Sequence, residues 1–313
     1  NGLKVGRFGR LYVEGLSGDI WRDFGVRRVV IRDPKGVWLE GRNLRLAWTF
    51  GDILGRRFHA TNVTAEHLIV YRRPVAEPKR PSAGMPIDVV IDRAVGRVEL
   101  MPELARTRGV YDVDASIELM RRNGGQRGAA KAASVLHPGD RLDVKFDLGG
   151  GRPLVLEADA REAKGGALAG TLGLAPDRPF LLHVKAKGEA STGRFSALAE
   201  SGTSRPVDAS GVWGPDGGSA QGRVELAAST HTQPLVARLG PQVQFAVTGR
   251  KAGQGLFDLE ADLTSDNVAV TAKGKSNLGE RRTGPQGVVL TASARELSKV
   301  TGGPSMGLGR VDG

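Results

Sequence analysis

The sequence predicts an all-β fold, an antiparallel meander with one or two short helices. Apolar and polar residues alternate through most of the 313 residues, as in the segment RLDVKFDL at 141–148. Turn residues separate these segments, with GGGRP at 149–153 and GPDGG at 214–218 as examples. Helical periodicity is scarce. Together these three observations favour many short strands over helices.

The alternating segments follow one another at short intervals along the chain. They lie at 37–48, 58–72, 87–92, 111–119, 141–148, 153–160, 181–188, 222–229, 243–249, 256–274 and 287–294. Strands so close in sequence are expected to pair as antiparallel hairpins. Residues 51–57 are expected to form one helical turn, and 161–179 is the best helical candidate, ended by Pro176. Segment 20–32 fits a strand in either of two registers.

The amino-acid composition limits the classes of protein to which the chain can belong. At 40% hydrophobic and 25% charged residues the chain is not disordered in composition, and 45 glycines with 5% aromatics suit strands and turns. The absence of cysteine excludes disulfides and cysteine-bound metals. Residues 1–80 carry 16 Lys and Arg against 8 Asp and Glu, most of the net charge of +11. A basic N-terminal part is suited to binding an anionic lipid surface. Alternatively, these residues only form the polar face of solvent-exposed strands. No nucleic-acid-binding motif accompanies them, so no nucleic-acid partner is expected.

Motifs of catalysis are weak. The segment GPSMG at 303–307 fits the G-x-S-x-G nucleophile elbow around Ser305, but no histidine follows it. The five histidines are scattered singly, without metal-ligand spacing. The Gly-rich DLGGGRP at 147–153 lacks the Gly-Lys-Ser/Thr of a phosphate loop and is interpreted as a hairpin turn. The sequence therefore predicts no catalytic residue, no metal, no cofactor and no enzyme.

Two blocks of sequence are more specific than this general pattern. Residues 11–74 contain a Gly-Leu-x-Gly turn (15–18), a Gly-Val-Trp-Leu stretch (36–39), a Leu-x-Leu-x-Trp strand (44–48) and a closing Arg-x-Pro (72–74). Residues 165–188 contain GGALAGTLGLAP followed by a strand. Both blocks resemble the TamB-like translocation and assembly module proteins of the AsmA-like superfamily, which are similar to bridge-like lipid-transfer proteins.

The resemblance implies a periplasmic protein anchored in the inner membrane of a Gram-negative bacterium and active in outer-membrane biogenesis. Its sheet would be elongated and curled into a U-shaped groove, a β-taco, with an apolar interior that carries phospholipid acyl chains. Residues 1–80 would form an N-terminal TamB-like β segment, and 81–313 would continue the same groove. An upstream membrane helix and a C-terminal domain that meets an outer-membrane Omp85-type partner are expected outside this stretch of sequence.

The inward apolar positions, one row per strand, are the candidate groove lining. They are Val37, Leu39, Leu44, Leu46, Trp48, Leu68, Val70, Ile87, Val89, Ile91, Val113, Ile117, Leu142, Val144, Phe146, Leu148, Leu156, Leu182, Val184, Val224, Leu226, Val243, Phe245, Val247, Phe257, Leu259, Leu263, Val268, Val270, Val288 and Leu290. Two alternatives remain open at this point. One is assembly or secretion of outer-membrane proteins and autotransporters by strand pairing, and the other is an ordinary β-sandwich binding module.

Overall fold

The chain folds into open, predominantly antiparallel β-sheet, with 66% of its residues in strands. The computed structural model describes residues 2–5, 7–77, 87–164, 166–253, 255–277, 282–295 and 309–312. Two compact units divide the chain, residues 1–180 (unit 1) and 181–313 (unit 2). The predicted all-β meander is confirmed. Ser305, the candidate nucleophile, lies outside the described residues.

The described residues of unit 1 form ten strands. They are β1 (Leu3–Lys4), β2 (Arg10–Asp19), β3 (Asp23–Asp33), β4 (Gly36–Trp48), β5 (Arg57–Val70), β6 (Asp88–Leu100), β7 (Gly109–Leu119), β8 (Gln126–Ser134), β9 (Arg141–Leu148) and β10 (Leu154–Glu162). Each strand pairs with the next in sequence, so the chain meanders from β1 to β10.

One pairing departs from the predicted antiparallel pattern. Strands β5 and β6 run parallel, in a register that extends from Arg57 opposite Asp88 to Val70 opposite Leu100. A parallel pair needs a longer connection than a hairpin turn, and residues 71–87 separate β5 from β6 in the sequence. The expectation that all neighbouring strands form hairpins is therefore wrong here. Alternation sets which face a side chain takes, but it does not encode strand direction.

Nine further strands are formed by the described residues from Phe180 onward, all in unit 2 except for Phe180 itself. They are β11 (Phe180–Glu189), β12 (Thr192–Ser201), β13 (Ser204–Gly214), β14 (Gly217–Glu225), β15 (Gln242–Gly253), β16 (Leu256–Ser265), β17 (Val268–Asn277), β18 (Arg282–Ala294) and β19 (Gly309–Asp312). From β12 onward each strand pairs antiparallel with the next.

The helices are short and lie between strands. They are α1 (Pro102–Ala105), α2 (Ala167–Thr171) and α3 (Gln233–Leu239), with 3₁₀ turns at Phe50–Gly55 and Leu226–Ala228. The predicted turn at 51–57 and the helix candidate at 161–179 correspond to the first 3₁₀ turn and to α2. Helices α1 and α3 were not predicted, although each carries a proline in its first turn, a position that suits helix starts. No helix in the described residues combines the length and apolarity needed to cross a membrane.

Candidate functional site on the apolar face of the sheet

Strand pairing assembles the predicted apolar residues of β9 into a continuous surface. Leu142, Val144 and Phe146 lie opposite Ala160, Ala158 and Leu156 of β10. On the other side they lie opposite Ala132, Ala130 and Gly128 of β8. Paired residues point to the same side of a sheet, so these three strands share one apolar surface. We call this surface the apolar face of unit 1, and we use the same name for the corresponding surface of unit 2.

The apolar face of unit 1 continues across the preceding strands. Val113 and Ile117 of β7 pair with Ala132 and Gly128, and Ile91 of β6 pairs with Ile117. One row runs through Leu46, Val63, Ala94 and Ala115, from β4 to β7. Aliphatic side chains thus follow one another sideways across the strands as well as along them.

Matched irregularities in neighbouring strands keep the apolar side chains of β2 to β5 on the same face. The pairing passes from Val13–Val29 to Leu16–Val26, so successive apolar positions on each strand are three residues apart instead of two. The same spacing recurs on β4 between Gly41 and Leu44. Gly15 and Asn43, in the middle of these intervals, have φ of +69° and +48°, values that glycine and asparagine tolerate best. These bulges explain why segment 20–32 fits two registers: the face changes parity within it.

Most predicted lining residues of unit 1 belong to this apolar face, with a few departures. Val37 lies beyond a register shift from Leu39 and pairs with Arg32. Ile87 precedes the first paired residue of β6. Trp48 follows another register shift and pairs with Ala60, itself opposite Ile91.

In unit 2 the register joins most of the predicted residues in the same way. Val224, Val243 and Ser265 share one row, and Phe245, Leu263, Val270 and Ala292 share another. Leu226 is an exception, since it lies in a 3₁₀ turn rather than in a strand. The remaining predicted residues on paired strands of this apolar face are Val247, Phe257, Leu259, Val268, Val288 and Leu290. Leu182 and Val184 are the less exposed positions of β11, which alternates regularly between exposed and half-buried.

The apolar face is only half-buried. Among the predicted lining residues, Leu226, Val243 and Val268 are buried and Val247 and Leu290 are exposed, while the others are intermediate. Residues of a packed sandwich core would reach full burial, since such cores exclude water almost completely. The face therefore keeps apolar area accessible for another molecule.

Aromatic rings on this face lie over glycines of the neighbouring strand. A Cβ added to Gly128 would come within 2.7 Å of the Phe146 ring. Added Cβ atoms at Gly193 and Gly211 would likewise collide with the rings of Trp213 and Phe195. The rings thus fill the space of missing side chains instead of projecting from the sheet.

A small helical cap packs at one end of the apolar face of unit 1. Ala105 of α1, Ala167 of α2 and Tyr111 form a buried cluster against Leu100 and Val113. Glu162, 1% exposed, accepts hydrogen bonds from Tyr111 Oη at 2.7 Å and from the backbone N–H groups of Leu168 and Ala169. Burial, followed by the contact with Glu162, raises the pKa of Tyr111, so its hydroxyl remains a donor.

The opposite face of unit 1 carries ion pairs and also holds the buried aliphatic side chains Val30, Ile69, Val90 and Val110. Arg97 and Asp112 form an ion pair across β6 and β7, as do Arg93 and Asp114. An open cleft of about 1190 Å³ is lined by polar side chains of this face, among them Arg45, Thr64, Arg97, Asp112 and Lys131. A smaller cavity of about 330 Å³ lies on the apolar face and is lined by Leu11, Val13, Leu16, Ile20, Phe24, Val26, Val29, Leu44, Arg45, Leu46 and Val63.

Buried charges that the sequence did not indicate support the hairpin of β3 and β4. Glu40, 5% exposed, accepts hydrogen bonds from Arg28, Arg42 and Tyr71. These contacts, the one with Arg28 foremost, lower the pKa of Glu40 to about 2. The alternation of apolar and polar residues places Glu40 near arginines on the polar face, but it does not show that Glu40 is buried. Its burial required the whole fold.

His59 has partners that the sequence interpretation missed. Its Nδ1 lies 3.0 Å from Asp52 Oδ2, and its Nε2 lies 2.9 Å from Asp92 Oδ2. The two carboxylates are 40 residues apart in sequence, beyond the reach of a spacing motif. In the described part of the chain, no group of three or more His, Cys, Asp or Glu side chains is arranged to hold a metal ion.

Comparisons with known proteins add no relatives to this description. Neither the protein-family models, nor the curated proteins, nor the solved structures contain a match to the chain.

Proposed function

We propose that this protein carries phospholipids along its apolar face, in the periplasm of a Gram-negative bacterium and from the inner membrane toward the outer membrane. One observation carries the proposal. The strand register assembles aliphatic side chains from successive strands into a continuous face that stays half-exposed. The resemblance of residues 11–74 and 165–188 to TamB-like proteins supplies the cellular setting, including the anchor in the inner membrane and the Omp85-type partner.

The chemistry of the face suits acyl chains. Its middle rows are built from small and aliphatic residues, such as Ala115, Ala130 and Val144. An acyl chain gains about 0.8 kcal/mol for each CH₂ group that leaves water. A half-exposed aliphatic surface can therefore hold tails without a base, a nucleophile or a metal. Movement along such a surface breaks no specific contact, because adjacent rows are chemically alike.

Site-specific photo-cross-linking tests the proposal. A photoreactive residue replaces Phe146 or Phe245 on the apolar face, and the controls replace their outward neighbours Lys145 and Gln244. The chain is exported to the periplasm of a Gram-negative host, illuminated, and analysed for phospholipid adducts by mass spectrometry. Adducts at the two Phe positions and not at the controls are expected.

Other outcomes would contradict lipid transport. Equal labelling at all four positions, or only internal protein adducts at the Phe positions, would mean that lipids do not occupy the apolar face. Cross-links to unfolded outer-membrane proteins would instead favour the assembly alternative, in which client strands pair with an edge of the sheet.

A further inference from the structure

Four exposed apolar side chains lie on two turns that meet at one corner of unit 1, the β2–β3 turn and the 3₁₀ turn that follows β4. Ile20 is 49% exposed, Trp21 58%, Phe50 37% and Leu54 87%. We call this set the apolar tip. Scattered exposed hydrophobic residues are common on protein surfaces, but a contiguous exposed group is typical of a contact surface.

The apolar tip is held in place by specific contacts. The rings of Trp21 and Phe50 meet edge to face at 4.3 Å between centroids, and Phe50 meets Trp48 at 5.4 Å. Trp48 Nε1 donates a hydrogen bond to the backbone oxygen of Ile20 at 2.8 Å, which ties the two turns together. The two turns that carry the tip are thus held together before binding, which lowers the conformational entropy that binding costs.

Basic residues border the apolar tip. Arg22 directly follows Trp21, and Arg56 directly follows the 3₁₀ turn that carries Leu54; both are exposed. Two nearby acidic groups are engaged locally, whereas a third, Asp23 beside Arg22, is exposed. Asp19 accepts the backbone N–H of Trp21 at 2.9 Å, and Asp52 lies 3.0 Å from His59. Exposed tryptophan and leucine beside arginine is the combination that favours the interface of an anionic bilayer.

From this arrangement we infer that the apolar tip docks the protein on a membrane surface that contains anionic phospholipid. Trp21 and Leu54 would enter the interface between headgroups and acyl chains, while Arg22 and Arg56 would contact lipid phosphates. Residues 1–80 hold +8 of the net charge of +11, which adds long-range attraction to the same surface.

The corner that carries the apolar tip adjoins the apolar face of unit 1. Ile20 belongs both to the apolar tip and to the lining of the 330 Å³ apolar cavity, together with Leu16, Phe24 and Leu46. A tail that leaves the bilayer at the tip would therefore meet aliphatic walls at once. This last step rests on the proposed lipid transport, whereas docking itself does not.

Vesicle flotation of the 313-residue chain tests the inference. Vesicles of phosphatidylcholine alone are compared with vesicles that contain phosphatidylglycerol as well. Leu54→Ser and Trp21→Ser change the apolar tip, Arg22→Gln with Arg56→Gln changes the basic border, and Val212→Ser is the control. Val212 is a 53% exposed apolar residue of unit 2, outside the tip.

Binding to the anionic vesicles is expected for the wild type and for Val212→Ser. Each tip substitution should weaken it about tenfold, and the double arginine variant should weaken it by a similar factor and reduce the dependence on anionic lipid. Leu54 is 87% exposed, so its change leaves the fold intact. Absence of wild-type binding, or unchanged binding of both tip variants, would overturn the inference. A concentration-dependent dimer that Leu54→Ser abolishes would overturn it too, because the tip would then be a self-association surface.

Lipid extraction, measured in the same samples, separates this inference from the proposed function. A chain that floats with vesicles but extracts no lipid supports docking and contradicts transport. A chain that extracts lipid without floating supports transport and overturns docking.

Discussion

Arg72 holds the carboxylate of Asp33 with both terminal nitrogens of its guanidinium group, at 2.6 Å and 2.8 Å. The Asp33 side chain is fully buried, and the backbone N–H groups of Val75 and Lys35 also donate to it. This pair fastens the start of the β5–β6 connection to the β3–β4 turn. Arg72 lies in the Arg-x-Pro segment that the family resemblance emphasised, and its contacts give that segment a structural role.

Removing one partner of this pair should destabilise unit 1. Arg72→Gln leaves a buried carboxylate without its counter-charge, and we expect a loss of about 3 kcal/mol in the free energy of unfolding. Urea denaturation followed by circular dichroism measures it. Arg97→Gln is the matched control, since Arg97 and Asp112 form an exposed pair whose loss should barely move the midpoint. Equal effects of the two substitutions would contradict a buried role for Arg72.

Acid should destabilise the protein through three carboxylates. Hydrogen bonds from Arg72, Arg28 and Arg108 lower the pKa values of Asp33, Glu40 and Glu99, respectively, with that of Glu40 at about 2. A folded-state pKa below the unfolded one adds stability that is complete above the unfolded value, near 4, and is lost as the pH falls through the folded value.

Stability should therefore be level from pH 7 to about 5 with respect to these groups and should fall steeply toward pH 2. Urea midpoints measured at intervals of pH would show this decline. In Glu40→Gln the acid decline should be shallower, because one titrating group is gone. An unchanged pH profile in that variant would mean that Glu40 is not held in its charged form.

The proposed lipid transport predicts that a large side chain on the apolar face blocks lipid binding without unfolding the sheet. Ala130 faces Val144 and Ala115 across its neighbouring strands, so Ala130→Trp places a large ring in the middle of the face. We expect the amount of co-purifying phospholipid, measured by mass spectrometry, to fall severalfold. Ala129→Trp is the control, since Ala129 is exposed and points to the opposite face. Equal lipid content in the two variants would argue against a lipid site here.

The helical cap should depend on Glu162. Glu162→Ala removes three hydrogen bonds to a buried carboxylate, and we expect a loss of about 3 kcal/mol in unfolding free energy. Hydrogen exchange at the amides of Leu168 and Ala169 should accelerate in the same variant, because both donate to this carboxylate. Tyr111→Phe should cost less, about 1 kcal/mol, since it removes one of the three bonds. Unchanged exchange at both amides would show that the cap does not depend on Glu162.

The sequence by itself determined the strands and the side-chain composition of their faces. Alternation in 141–148 or 243–249 places every second residue on one side of a pleated strand, whatever the strand pairs with. Most predicted lining residues of β9 and β15 accordingly lie between apolar or glycine partners on both sides, the exceptions being Leu148 opposite Gln126 and Val243 opposite Ser265. The short turn at 51–57 was also local, since a few residues suffice to define it.

Only the tertiary structure decided how the strands join and where the charges go. The parallel pairing of β5 with β6 is one example, because the alternation of apolar and polar residues does not encode strand direction. The matched bulges at Gly15 and Asn43 exist because adjacent strands must keep a common face, a constraint that no single strand contains. Asp33, Glu40 and Glu162 are buried because distant residues supply their donors. Likewise the apolar tip forms where two turns, separate in sequence, are brought into contact.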